Sequence, residues 1–95
     1  MVRVNLVCQL KSQQHTMLHK FLADNLNNVR RFSGCLRVDI YFDEPQNIML
    51  IDEDWQSIEA HQHYMQFIAN NGILKQLSAY FTVPPQILYL SKSPL

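Results

Sequence analysis

The chain has 95 residues, 47% of them hydrophobic and 17% charged, the make-up of one ordinary compact domain (residues 1–95) with a single core. Eight basic and eight acidic residues cancel and lie scattered, so the basic field of a nucleic-acid or anionic-membrane surface is excluded. No apolar run approaches the ~20 residues of a membrane span, and Met1 leads into strand-like sequence without a signal-peptide pattern, so a cytoplasmic protein is expected.

Val2 to Leu10 alternates, with Val2, Val4, Leu6, Cys8 and Leu10 on one side and Arg3, Asn5, Val7 and Gln9 on the other, the pattern of a strand with one apolar face. From Ser12, an expected N-cap, the period turns helical, and Met17, Leu18, Phe21, Leu22, Leu26 and Val29 form one stripe that ends at Ser33-Gly34. Cys35 to Phe42 alternates again, with Leu36, Val38, Ile40 and Phe42 on one face and Arg37, Asp39 and Tyr41 on the other. Asp43 to Gln46 is turn chemistry and Asn47 to Asp54 a third strand. A hairpin closing with Phe42 opposite Asn47 would set Val38 against Ile51 and Arg37 against Asp52.

Ser57 is the expected N-cap of a second helix, with Glu59 in its first turn. Gly72 stops or bends it, and Ile73, Leu74, Leu77, Tyr80 and Phe81 predict a further helical segment. Pro84-Pro85 forbids helix and opens a last strand, Gln86 to Leu90, followed by a loose tail at 91–95. Cys8 and Cys35 lack any paired-ligand spacing and read as free thiols.

The order predicts an α+β fold of ferredoxin-like βαββαβ type, a four-stranded antiparallel sheet with both helices on one face. The other face would carry Val7, Tyr41, Ile48 and Leu50 among polar residues, too apolar in places for water. A domain of this size buries only roughly 60 to 65% of its unfolded surface. A homodimer through that face is therefore expected.

Gly34-Cys35-Leu36, the run Ile48 to Trp55, Trp55-Gln56-Ser57-Ile58-Glu59-Ala60-His61, Gly72, and the ending Pro84 to Leu90 together resemble the antibiotic biosynthesis monooxygenase family of the dimeric α+β barrel superfamily, over nearly the whole chain. The resemblance implies a small oxygenase without metal, flavin or haem that oxidises an electron-rich phenol, quinol or anthrone with O2. Such a substrate, once deprotonated, can pass an electron to oxygen itself, and the protein supplies a dry pocket, a base and hydrogen bonds.

Trp55 is either a packing anchor at a strand–helix corner or, as in similar family members, an indole donor to substrate. His61 falls near the centre of the arc Ile58, His61, Tyr64, Met65, Ile68. It is either a structural histidine or a general base sharing a pocket with Trp55, whereas His63 points to solvent. His15 and His19 have the four-residue spacing of metal ligands but no third ligand, so no metal site is expected.

Asn5 matches in kind an Asn of haem-degrading relatives. Their His ten residues after the Trp is Met65 here, which disfavours that reaction. Some quinone-forming relatives carry an Asn where Ile51 stands and a Tyr where His61 stands, so the substrate-gripping set is altered. Tyr64, Asn47 and Lys75 complete the candidate polar lining of the pocket. Two functions follow: a cofactor-independent monooxygenase acting on a small aromatic, or a non-catalytic dimeric module that binds a small ligand or a partner protein.

Overall fold

A computed structural model describes residues 1–95. Strand β1 (Val2–Gln9) turns Val4, Leu6 and Cys8 into the core. The chain then reverses at Ser12-Gln13, where Gln13 takes a positive φ of 63°, and helix α1 (His15–Arg30) starts behind Gln14 without a side-chain cap. Ser12 is thus spent in the turn and is not the expected N-cap. The apolar stripe buries Leu18, Leu22 and Val29, flanked by Phe21 and Leu26, while Met17, at the edge of the arc, stays 65% exposed.

Strands β2 (Cys35–Asp43) and β3 (Ile48–Trp55) form the hairpin, but two residues out of the expected register. Asp43 pairs with Ile48 and Phe42 with Met49, because Asn47 adopts φ 53° and belongs to the turn, not to the strand. Val38 therefore lies opposite Glu53 and Arg37 opposite Asp54. An even shift preserves every side chain's face. Arg37 still reaches Asp52 on that face at 2.9 Å, together with Asp39 at 2.6 Å and Asp54 at 2.7 Å. A bulge between Cys35 and Arg37 breaks the alternation, so Cys35 packs inward and Leu36, expected in the core, is exposed.

Ser57 caps helix α2 (Ile58–Asn70) as expected, accepting from the Ala60 N–H at 3.1 Å. Gly72, at φ 87°, bends the chain into helix α3 (Ile73–Ser78), which stops before Tyr80 and Phe81. Phe81 is instead buried in a bridge with Leu10. After Pro84-Pro85, strand β4 (Gln86–Leu90) pairs with β1. The sheet order is β2-β3-β1-β4, all antiparallel: the ferredoxin-like arrangement, with the helices on one face.

The other face is open. At its centre the Asp52 carboxylate, only 2% exposed, accepts two hydrogen bonds from Arg3 (2.8 and 2.9 Å), one from Asn5 (2.6 Å) and one from Arg37 (2.9 Å). Burial alone would raise its pKa, yet these donors hold it below the ordinary range. Around this satisfied polar centre stand Val7, Tyr41, Ile48, Leu50, Leu88 and Leu90, with Tyr41 56% exposed.

Candidate functional site

Alternation along β3 sends Met49, Ile51 and Trp55 beneath the helices, and Glu53 goes with them. A carboxylate facing a core needs partners. Glu53 is 4% exposed and takes the Trp55 indole N–H on Oε1 at 2.9 Å, while His61 Nε2 lies 3.4 Å from the same oxygen. His61, delivered by the first turns of α2, is 1% exposed. Its Nδ1 is hydrogen-bonded at 2.9 Å to the hydroxyl of Tyr89, which reaches across from β4. Its ring meets those of Trp55 and Tyr89 edge-on, at 5.4 and 5.5 Å between centroids.

The electrostatics follow from burial. Desolvation pushes the Glu53 carboxyl up to about 7, against the Trp55 hydrogen bond that favours its ionised form. Desolvation also pulls His61 down to about 4. At neutral pH the histidine is thus neutral and the carboxyl is poised between its two forms. The Tyr64 and Cys8 groups, likewise desolvated, are each raised to about 12 and stay protonated.

His61 Nε2 has no hydrogen-bond partner of good geometry although it is buried. Beside it lies a cavity of about 60 Å³ between the sheet and the helices, lined by Leu6, Val38, Ile40, Ile51 and a ring of helix side chains, with Asn25, Glu53, His61 and Tyr64 its polar members. An orphaned polar atom in a mostly apolar hollow, next to a carboxyl whose pKa burial raises toward neutrality, can take up a proton and hold it away from water.

The expected site residues fare differently. His61 and Tyr64 line the cavity and His63 is exposed. Trp55 lies outside the lining, and its indole hydrogen is engaged by Glu53, so it reaches the cavity only through that carboxylate. Asn5 sits on the opposite face of the sheet, bonded to Asp52. Asn47 holds the hairpin turn, its carbonyl accepting from Leu10 N–H at 2.7 Å and its side chain meeting His15 at 3.0 Å. Neither asparagine belongs to the pocket. Lys75 is exposed and outside it. His19 stacks on Phe42 at 4.7 Å, facing aromatic carbon.

Glu53 and Tyr89 were not among the residues expected from the sequence. Glu53 hides in the acidic run Asp52 to Asp54, which reads as surface charge, although its strand phase matches that of Trp55. Tyr89 is legible only once β4 is paired, when it falls opposite Val4 on the covered face.

No protein-family model and no curated protein sequence matches the chain. Solved structures do. A structure described as an antibiotic biosynthesis monooxygenase superposes with a TM-score of 0.85 at 14% identity, over 99% of this chain and 100% of that one. Rv0793 from Mycobacterium tuberculosis gives 0.81 at 17%, over 99% and 96%. A conserved protein from Methanosarcina mazei Go1 gives 0.83 at 17%, over 97% and 92%. At such identities the likeness is one of fold.

Proposed function

We propose that the chain is a cofactor-independent monooxygenase that oxidises a small phenolic or quinol-like aromatic with O2, the Glu53–His61 pair taking the substrate proton. The observation that carries this reading is the buried, unpartnered His61 Nε2 beside Glu53 in an otherwise apolar cavity. The substrate O–H gives its proton to Nε2, and the Glu53 carboxylate stabilises the imidazolium. The phenolate passes one electron to O2; aryloxyl radical and superoxide then join through a new C–O bond, and the peroxide anion takes the proton back from His61 Nε2 to become a hydroperoxide. Loss of water leaves the quinone, so each substrate and O2 yield one quinone and one water. Tyr89 accepts the Nδ1 hydrogen and Trp55 orients Glu53, so both are positioning residues. A fold shared with a structure described as a monooxygenase supports the reading.

Oxygen consumption with a panel of quinols and anthrones tests it. Turnover should rise as pH passes about 7, where Glu53 ionises, and His61→Ala should abolish it. A ligand that binds tightly and emerges unreacted, with no oxygen uptake across the panel, would instead assign the chain to the non-catalytic binding modules.

The same reading includes a homodimer. The apolar residues around the Asp52 network offer a second copy a flat surface whose polar centre is already satisfied. Sedimentation at micromolar concentration should give a dimer, and a Tyr41→Glu, Leu50→Glu variant should give a folded monomer. A wild-type chain that sediments as a monomer would remove this part of the proposal.

A further inference from the structure

The inner cavity, at about 60 Å³, holds dioxygen or a few waters but falls far below the roughly 300 to 1,000 Å³ of usual ligand pockets. Beside it, between α1 and α2, lies a groove of about 470 Å³. Asn25, Tyr64, Ile68 and Ile73 line both, so the two spaces adjoin. One wall of the groove is aromatic, with Phe32 packed against Tyr64 and Phe67 at 5.1 and 5.4 Å between centroids, and Phe67 is half exposed with nothing over it. The rim is polar: Asn28, Arg31 and Asn71. The Arg31 guanidinium makes no hydrogen bond or ion pair, and no carboxylate lines the groove. Asn71 Oδ1 accepts from the Ile73 N–H, which leaves its amide hydrogens to donate.

We infer that this groove is the recognition site for a planar aromatic carrying an anionic substituent, the ring lying on the Phe32–Tyr64–Phe67 wall and the anion bound by Arg31. An unpaired guanidinium, an amide donor and an acid-free lining favour a carboxylate over a neutral or cationic group. A ring so held lies against Asn25, Tyr64, Ile68 and Ile73, the side chains that also line the inner cavity, which could not admit the ring whole. The inference rests on the proposed function for its aromatic substrate, but it concerns binding and is tested without turnover.

Hydroxynaphthoate and naphthol, which differ by one carboxylate and are both fluorescent, are the probes. Titration should show hydroxynaphthoate binding about tenfold tighter, the scale of one charge-assisted contact. Arg31→Ala should bring it to the naphthol level, Arg31→Lys should restore part of the preference, and naphthol binding should not change. Arg31 is exposed and its only hydrogen bond is from its backbone N–H to the Asn27 carbonyl, so both variants should keep the wild-type unfolding midpoint. Amide shifts on binding should centre on Phe67 and Asn71. Equal affinity for the two probes, no binding of either, or a preference that survives Arg31→Ala would overturn the inference. A preference that appears while no quinol or anthrone is oxidised would leave this site standing and remove the oxygenase reading.

Discussion

Glu53→Gln and His61→Gln should tilt the dependence of stability on pH in opposite directions, while the wild-type chain stays nearly level between pH 4.5 and 6.5. Folded Glu53 keeps until about 7 a proton that the unfolded chain releases near 4.5. Between those values unfolding releases a proton, so stability falls as pH rises. Folded His61 stays neutral down to about 4, whereas the unfolded imidazole gains its proton below 6.5. Between those values unfolding takes up a proton, so stability rises with pH.

Where the windows overlap, the folded pair and the unfolded pair each hold one proton, and the slopes cancel. Removing Glu53 leaves only the rising slope, and removing His61 leaves only the falling one, each about 1.4 kcal/mol per pH unit. Across the overlap each variant should change by about 3 kcal/mol, in opposite senses. Urea unfolding followed by the fluorescence of Trp55, the only tryptophan, measures this at a series of pH values. The Asp52 network and the surface groups are common to all three proteins and drop out of the comparison. Three parallel curves would mean that Glu53 and His61 titrate alike in the folded and unfolded chains, and the proposed base would be lost.

The period-two pattern of β1 assigned its residues to their faces and put Ile48 and Leu50 of β3 on the open one, and an even register shift in the hairpin leaves such assignments untouched. The shift itself turned on Asn47 taking a positive φ. Asparagine tolerates that conformation without demanding it, so nothing local in the sequence decides between turn and strand there. Leu36 was lost to a bulge for a similar reason, since either residue of Cys35-Leu36 could serve the core. The site was half legible. Helical phase places His61 and excludes His63, whereas only residue type points to Asn5 and Asn47, and strand phase sends Asn5 to the opposite side of the sheet. Glu53 was the costly omission, for a charged residue at a core phase is the most informative kind.

Gly34→Ala should destabilise the chain by roughly 2 to 5 kcal/mol, whereas Gly72→Ala should cost only roughly 1 to 2 kcal/mol. Both glycines have positive φ, 93° and 87°, so an added methyl strains the backbone at either place. They differ in surroundings. A Cβ at Gly72 would meet nothing within 4 Å, while one at Gly34 would sit 2.6 Å from the Ala60 Cβ and 3.8 Å from the Trp55 ring. The first turn of α2 cannot yield freely, because the Gln56 N–H is bonded to the Gly34 carbonyl at 2.8 Å and Ser57 caps the helix just beyond. Adding Ala60→Gly to Gly34→Ala should recover the overlap and leave the backbone strain, although Ala60→Gly alone weakens the helix by roughly 1 kcal/mol. Chemical unfolding of the four proteins closes the cycle. If Gly34→Ala costs no more than Gly72→Ala, or if the two sites prove additive, the close approach is not what the glycine serves. The consequence reaches the site, since Ala60 precedes His61: a methyl that lifts the start of α2 off Gly34 also draws the imidazole away from Glu53, and turnover should fall further than the lost stability explains.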